Sequence, residues 1–146
     1  MLGLKFLYLS LLVLKPNTIY LMAQSKILVI EDEEMTARLI TYRLESLGHE
    51  VRHEKDGVKG FSAIKEFKPD LVVLDIMLPG LSGFEILQKL KDDQNFDLDS
   101  IKVLMLSSKK RSEDVSRGFN MGAMEYVPKP FKMDEFLLRL NRVLNQ

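Results

Sequence analysis

The chain has 146 residues, of which 46% are hydrophobic and 29% are charged, and this composition fits one domain with its own core. Basic and acidic side chains number 21 each, so no basic excess points to nucleic acid, and we expect no direct nucleic-acid binding. Cysteine is absent, which excludes disulfides, thiolate zinc sites and cysteine nucleophiles. The two histidines, His49 and His53, lie at a predicted turn and strand, and we interpret both as surface residues.

An apolar stretch, residues 1–14, opens the chain with Lys5 as its only charge. It is shorter than the ~20 residues that a membrane-spanning helix needs, and we expect no membrane association of the domain that follows. Three interpretations of residues 1–24 stay open: an upstream start codon with Met22 as the working start, a weak membrane-associating leader, or a secretion signal with a poor cleavage site. We favour the first, because Met22 leads directly into the first strand of a domain at residues 25–146.

From residue 26 onwards, strand and helix signals alternate along the chain. Short apolar runs predict strands, and each run is followed by a segment with helical spacing or a polar helix start. The predicted strands cover residues 27–30, a segment around Val51, and residues 71–75, 101–106 and 125–127. Pro128 cannot donate a hydrogen bond to a neighbouring strand, so we expect the fifth strand at an edge of the sheet.

Five helices are predicted between and after these strands. The first ends at Gly48, the second before Pro69, and the third begins beyond Ser82. The fourth opens with residues 109–111 and ends near Met121. The apolar positions are Met35, Leu39, Tyr42 and Leu47 for the first helix, Val58, Phe61 and Ile64 for the second, Phe84, Leu87 and Leu90 for the third, and Met133, Phe136, Leu137, Leu140 and Leu144 for the fifth. With right-handed crossovers, the five βα units predict an α/β fold, a doubly wound five-stranded parallel sheet with helices on both faces.

Polar side chains follow four of the five predicted strands. Glu31 and Asp32 end the first strand, Asp75 ends the third, Ser107 the fourth and Lys129 the fifth. Each has an ordinary structural explanation by itself, as a loop carboxylate, a helix cap or a solvated lysine. Because the carboxyl ends of parallel strands lie along one edge of a sheet, we expect these side chains to converge.

Carboxylates that lie close together raise one another's pKa, and a divalent cation with oxygen ligands relieves their repulsion. Few protein ligands and room for several waters favour Mg²⁺ over Ca²⁺. A carboxylate beside Mg²⁺ can attack a phosphoryl group, and a serine hydroxyl and a lysine ammonium can donate to its oxygens. We therefore interpret Asp75 as a phosphoryl acceptor.

Four segments in this order resemble the receiver domain of two-component response regulators, of the chemotaxis-receiver type. They are residues 27–33 (ILVIEDE), 71–80 (LVVLDIMLPG), 103–108 (VLMLSS) and 122–131 (GAMEYVPKPF). The resemblance covers residues 25–146. It implies the flavodoxin-like strand order 2-1-3-4-5.

This resemblance implies that Asp75 accepts a phosphoryl group from a sensor histidine kinase or a histidine phosphotransfer protein, in a reaction that depends on Mg²⁺. Asp32, Asp75 and the backbone carbonyl of Met77 would bind the ion, and Glu31 would act directly or through water. Glu31 stands where the family more often has aspartate, and its side chain is longer by one methylene. The domain would assist its own phosphorylation and dephosphorylation without being an enzyme.

The resemblance also implies a switch. Ser107 and Lys129 would move towards the phosphoryl group, Tyr126 would turn inwards into the space left by Ser107, and the Lys129–Pro130 bond would be cis. The face made by the fourth helix, the fifth strand and the fifth helix would then bind a downstream protein in the cytoplasm. From the residues alone, an exposed tyrosine on an edge strand remains an alternative for Tyr126.

Three other functions stay open at this stage. A magnesium-dependent phosphatase that works through an aspartyl phosphate needs a second aspartate two residues after the nucleophile, where this chain has Met77. A flavodoxin-like flavin protein would bind phosphate after the first strand, but there the chain has the acidic run at residues 31–34, which would repel a phosphate. A phosphorylation-independent pseudo-receiver is disfavoured because no acidic position of the site is missing.

Overall fold

The computed structural model describes residues 9–15 and 18–146, and the side chains from Gln24 onwards. Within the predicted leader, strands β1 (Leu9–Lys15) and β2 (Thr18–Ala23) pair antiparallel in a two-stranded sheet of their own. The rest of the leader, residues 1–8 and 16–17, lies outside the described residues. The division into residues 1–24 and 25–146 and the choice of Met22 as the start stay predictions.

The second sheet has five strands, all parallel, in the order β4-β3-β5-β6-β7. Counted from Lys26, this is the expected order 2-1-3-4-5, so the predicted fold class is confirmed. The strand with Pro128 lies at an edge, as the missing N–H of proline requires. The strands are β3 (Lys26–Ile30), β4 (Glu50–Glu54), β5 (Leu71–Asp75), β6 (Lys102–Ser107) and β7 (Glu125–Pro128).

Five α-helices and one 3₁₀ turn (Leu98–Ser100) connect and follow these strands. None of the helices in the described part of the chain is long and apolar enough to cross a membrane. The helices are α1 (Glu34–Ser46), α2 (Gly57–Phe67), α3 (Gly83–Asp92), α4 (Ser112–Asn120) and α5 (Met133–Leu144).

Two apolar layers cover the two faces of the sheet. Side chains alternate along each strand, so Leu28 and Ile30 contribute to one layer and Ile27 and Val29 to the other. The first layer includes residues of α2, α3 and α4, and the second includes residues of α1 and α5. All five residues of β5 are buried, as expected for a central strand that is covered on both faces.

The first helix buries a different stripe from the one that predicted it. Met35, Leu39 and Tyr42 are 65%, 55% and 71% exposed. The buried residues of α1 are Ala37, Ile40 and Leu44. Both stripes have helical spacing, so the pattern identifies the helix but does not decide which stripe faces the sheet.

The fourth helix begins at Ser112, later than the predicted start at Lys109. The Lys109 N–H donates to the Ser107 hydroxyl, and the Lys109 carbonyl accepts from the Tyr126 hydroxyl. These bonds hold Lys109 in the loop before the helix. The second bond joins the loop to another strand, 17 residues away, so local patterns do not reveal it.

The interpretation of both histidines as surface residues is wrong. His49 is 5% exposed, and its Nδ1 accepts a hydrogen bond from the Ser25 N–H at 3.1 Å. Its Nε2 is buried and has no hydrogen-bond partner among the described residues. His53 is half-buried in β4, and its Nε2 lies 2.7 Å from the Glu31 carbonyl oxygen. Both rings contact backbone groups at the ends of β3, which the local sequence around them does not show.

Candidate functional site

The five polar residues predicted at the strand ends all lie at the carboxyl edge of the sheet. Glu31 and Asp32 directly follow β3, Asp75 is the last residue of β5, and Ser107 is the last residue of β6. Lys129 directly follows β7, and its N–H donates to the Ser107 carbonyl at 2.9 Å, which continues the hydrogen bonds between these strands. Parallel strand order therefore brings together residues almost 100 positions apart in the sequence.

Three carboxylates form the acidic part of this site. One carboxylate oxygen from each of Glu31, Asp32 and Asp75 lies within 4.8 Å of the other two. Glu31 and Asp75 are only 1% and 4% exposed, whereas Asp32 is exposed. Two of the three carboxylates are thus buried in the protein, and the cluster is open to solvent on the side of Asp32.

The donor set of this cluster fits a hard divalent cation. Oε2 of Glu31 is buried and has no hydrogen-bond partner within the described part of the chain, which is costly for a carboxylate. A cation with oxygen ligands would satisfy it, and the exposed side at Asp32 leaves room for the waters that Mg²⁺ retains. The N–H of Met77, whose carbonyl is the fourth predicted ligand, donates to Oδ1 of Asp75 at 3.1 Å.

Lys129 supplies positive charge to the cluster. Its Nζ lies 2.5 Å from Oε1 of Glu31 and 3.0 Å from Oδ2 of Asp75. Burial works against the charge of this ammonium, but the hydrogen bonds to Glu31 and Asp75 outweigh it and raise the pKa of Lys129. The Lys129–Pro130 peptide is cis, as expected.

The titration of Glu31 differs from that of an ordinary glutamate. Burial, together with contact with the Asp75 carboxylate, raises the pKa of Glu31 to about 8, although Lys129 acts in the opposite direction. One ammonium therefore does not compensate two buried carboxylates. Without a second cation, a proton on Glu31 takes that place at neutral pH.

The loop around Asp75 requires close packing of backbone against backbone. A Cβ at Gly83, the first residue of α3, would lie 2.5 Å from the Asp75 carbonyl oxygen, so any larger residue would displace the strand end or the helix. The Ser82 hydroxyl caps α3 by accepting from the Glu85 N–H. The glycine and the cap fix the segment that carries Asp75 and Met77.

A chain of hydrogen bonds leads from the site to Tyr126. The Lys109 N–H donates to Oγ of Ser107 at 3.1 Å, and the Tyr126 hydroxyl donates to the Lys109 carbonyl at 2.6 Å. Tyr126 is 4% exposed, and burial raises the pKa of its phenol. The alternative of an exposed edge-strand tyrosine is therefore wrong, because β6 and α4 cover this face of β7.

The contacts of two residues in this region were not predicted from the sequence. Lys109 acts through its backbone, and backbone hydrogen bonds have no sequence signature. Arg139 of α5 donates to the Tyr126 carbonyl at 3.3 Å and lies 3.5 Å from Glu125, which ties α5 to β7. A basic residue on the polar side of α5 gave no signal that distinguished it from its neighbours.

Curated proteins similar to this chain are transcriptional regulators. The DNA-binding dual master transcriptional regulator RpaA of Synechocystis sp. is 36% identical over 121 residues, which cover 83% of this chain and 49% of that protein. The transcriptional regulatory protein YkoG of Bacillus subtilis is 38% identical over 125 residues, which cover 86% of this chain and 53% of that protein. The chain thus spans about half the length of these relatives.

Solved structures of receiver domains match over nearly their whole length. The Francisella response regulator 1452 receiver domain aligns with a TM-score of 0.75 at 30% identity and covers 84% of this chain and 98% of that one. The BeF3-activated DrrB receiver domain aligns with a TM-score of 0.73 at 32% identity and covers 84% and 99%. The family model described as "Response regulator receiver domain" matches residues 27–141. The chain therefore belongs to the receiver domain family of two-component response regulators.

Proposed function

We propose that Asp75 accepts a phosphoryl group from a sensor histidine kinase or a histidine phosphotransfer protein, in a reaction that depends on Mg²⁺. The observation that carries this proposal is the ammonium of Lys129, which contacts both Glu31 and Asp75 where three carboxylates meet. In the transfer, the N–P bond of the donor phosphohistidine breaks and a bond forms between phosphorus and a carboxylate oxygen of Asp75. The imidazole of the donor leaves.

The residues around Asp75 have complementary roles in this proposal. Glu31, Asp32, Asp75 and the Met77 carbonyl would hold Mg²⁺, which supplies positive charge to the phosphoryl oxygens. The N–H of Met77 orients the Asp75 carboxylate through Oδ1. Lys129, already 3.0 Å from Oδ2 of Asp75, would donate to a phosphoryl oxygen.

Phosphorylation would also change the protein-binding face. It adds a charge of about −1.5 to −2 and new acceptor oxygens at one point of the sheet edge. The Ser107 hydroxyl, which now accepts from the Lys109 N–H, would donate to one of these oxygens. Because Lys109 also bonds Tyr126, this rearrangement would reach the face of α4, β7 and α5, where a downstream protein would bind.

An exposed apolar stripe on α1 supports a protein phosphodonor. Met35, Leu39 and Tyr42 lie on one side of the helix that follows Glu31 and Asp32, and each is more than half exposed. Such a stripe beside the site suits a helical partner that presents phosphohistidine to Asp75. Leu39→Ser should slow transfer from a phosphohistidine protein and leave phosphorylation by acetyl phosphate unchanged. A variant that keeps the wild-type rate with both donors would contradict this role.

The way in which the receiver acts on its downstream partners is also proposed. The matched relatives are DNA-binding or transcriptional regulators, and this chain aligns with about half of each. We propose that the receiver acts in the cytoplasm through protein contacts, without touching nucleic acid itself. Its balanced charge, 21 basic and 21 acidic residues, supports this role.

Two alternatives lack support from the site. An aspartyl-phosphate phosphatase needs an acid two residues after Asp75, and Met77, which is 56% exposed, cannot donate a proton. A pseudo-receiver would not need a buried Glu31 oxygen beside Asp75 that has no hydrogen-bond partner among the residues described. Assistance of the domain's own phosphorylation and dephosphorylation remains part of the proposal.

Acetyl phosphate with Mg²⁺ provides the direct test. Intact-mass spectrometry should show one phosphoryl group that hydroxylamine removes, that requires Mg²⁺ and that disappears in Asp75→Ala. Asp99→Ala, which changes an exposed aspartate in the 3₁₀ turn, is the matched control and should keep the full incorporation. A folded protein that incorporates no phosphoryl group under these conditions would reject the proposal.

A further inference from the structure

The fourth helix is attached to the sheet through few side chains. Its only buried residue is Gly118, whereas α3 buries five residues and α5 four. Val115 and Met121, three residues before and after Gly118, are partly buried against the same core layer. The position of α4 on the sheet therefore depends strongly on what packs beneath Gly118.

Beneath Gly118 lie two side chains that are neighbours across β6 and β7. Met105 and Tyr126 are partners in the register of these strands, and both are buried. A Cβ at Gly118 would lie 3.1 Å from Cδ2 and 3.3 Å from Cε2 of the Tyr126 ring, and 3.0 Å from Sδ of Met105. All three distances are shorter than ordinary van der Waals contacts of a methyl group with carbon or sulfur.

The helix itself gives no local reason for a glycine at this position. Glycine in a helix interior is less favourable than alanine because its backbone loses more conformational entropy on folding. The φ of Gly118 is not positive, so the backbone does not require glycine either. The reason lies in packing, since the missing side chain leaves the space that the Tyr126 ring and the Met105 thioether occupy.

We propose that Gly118 is a positioning residue that couples the place of the Tyr126 ring to the place of α4 on the sheet. The ring lies between Gly118 and the loop residue Lys109, whose carbonyl accepts the phenol hydrogen bond. If the ring leaves this site, α4 loses the surface against which Gly118 packs. If α4 lifts, the ring loses its cover. The consequence for signalling rests on the proposed function, but the packing and its test do not.

A double-mutant cycle on the full chain tests the coupling without phosphorylation. Gly118→Ala should lower the unfolding midpoint by about 5 °C, because the new methyl group overlaps the ring. In a Tyr126→Ala background the same exchange should raise the midpoint, because only the helix propensity of alanine is left. Ser116, an exposed residue of the same helix, supplies the reference. The difference in unfolding midpoint between the Ser116→Gly and Ser116→Ala variants measures the effect of helix propensity alone.

A second measurement follows the ring itself. The chain contains four tyrosines, and in protein labelled with 3-fluorotyrosine the ¹⁹F resonance of Tyr126 can be assigned with Tyr126→Phe. Gly118→Ala should move this resonance towards that of a solvent-exposed fluorotyrosine, and Ser116→Ala should leave it in place. A purely structural loss of helix stability would not move it in the folded protein.

Each outcome decides the proposal. An unmoved Tyr126 resonance overturns it, as does a Gly118→Ala variant that gains the stability seen at Ser116. Restoration by Met105→Ala instead of Tyr126→Ala also overturns it, because the thioether would then be the obstructing group. If Gly118→Ala alone does not fold, a folded double variant with Tyr126→Ala supports the proposal and an unfolded one rejects it.

Discussion

The two edges of the five-stranded sheet differ in how completely their charged groups are satisfied. At the amino edge, Oδ2 of Asp70 accepts from the Lys26 N–H at 2.8 Å, and Nζ of Lys102 donates to the carbonyl oxygens of Leu144 and Gln146 at 2.8 and 2.9 Å. At the carboxyl edge, Glu31 is buried with one unpartnered oxygen among the described residues and a pKa raised to about 8.

This difference separates residues that stabilise the fold from residues that would bind the proposed Mg²⁺ and phosphoryl group. Charged groups paired with backbone at the amino edge satisfy helix and strand ends and cost little. A crowded set of buried carboxylates reduces stability and persists where function requires it. The comparison therefore predicts that changes at the carboxyl edge alter chemistry most, and that changes at the amino edge alter only stability.

The largest effect is expected from Lys129→Gln. The amide keeps a hydrogen-bond donor but removes the charge that contacts both Glu31 and Asp75. Loss of a charge-stabilising donor at a reacting centre typically costs ~10²–10³-fold in rate, and we expect a loss of this size in phosphorylation by acetyl phosphate. The rate can be followed by intact mass at saturating Mg²⁺. An unchanged rate in a folded variant would show that the ammonium does not act on the phosphoryl group.

The next effect concerns the pH dependence of stability in the absence of Mg²⁺. Between pH 4.5 and about 8, Glu31 ionises in the unfolded chain but keeps its proton in the folded one, so the folded state binds more protons. Stability should therefore fall as pH rises through this range, by a few kcal/mol, because each unit of pKa difference corresponds to ~1.4 kcal/mol and solvent on the side of Asp32 screens part of the effect. Glu31→Gln should flatten the slope. Denaturant unfolding at several pH values measures it.

Mg²⁺ serves as the control for this slope. A cation at the site replaces the proton on Glu31, so added Mg²⁺ should stabilise the wild type more as pH rises. The same addition should have less effect on Glu31→Gln. If the pH dependence of the unfolding free energy were the same for both proteins, with and without Mg²⁺, the buried carboxylate of Glu31 would not be its source.

The residues of the carboxyl edge could be predicted from the sequence because all strands of a parallel sheet end at the same edge. Once apolar runs indicate alternating strands and helices, the residue after each run must lie at one edge, and Glu31, Asp75 and Lys129 meet there. The order of the strands and the edge position of Pro128 follow from the same reasoning and the resemblance to receivers.

What could not be predicted depends on packing between elements. The stripes of α1 are both helical in spacing, and only the sheet decides that Ile40 is buried and Leu39 exposed. From the residues alone, the burial of Tyr126 could not be predicted, because the ring packs against Gly118, eight residues earlier in a different element. The buried ring of His49 accepts from the Ser25 N–H, 24 residues earlier, a contact that no local pattern contains.

His49 is an exception at the amino edge, and its pH dependence should have the opposite sign from that of Glu31. Burial lowers the pKa of His49 from 6.5, although Asp70 acts in the opposite direction. The unfolded chain then binds the proton first, so stability should fall as pH decreases through 6.5. Protonation would also remove the Nδ1 acceptor of the Ser25 N–H.

The measurement is urea unfolding between pH 5 and 7.5. His49→Gln should lose the dependence in this range, and His53→Gln, which changes the half-buried histidine of β4, is the matched control. If the wild type and His49→Gln show the same dependence, the buried ring is not its source.

The smallest effect is expected from Lys102→Gln, the counterpart of Lys129→Gln at the other edge. Nζ of Lys102 contacts main-chain oxygens of Leu144 and Gln146 and pairs with no acidic side chain among the described residues, and a cation at a helix C-terminus contributes modestly. Its removal should cost about 0.5 kcal/mol of unfolding free energy and leave phosphorylation by acetyl phosphate within twofold of the wild type. Two lysines of one sheet would then differ by at least ~50-fold in their effect on chemistry. A large loss of phosphorylation in Lys102→Gln would remove the distinction between the edges, because the rate would then follow stability and not the charge beside Asp75.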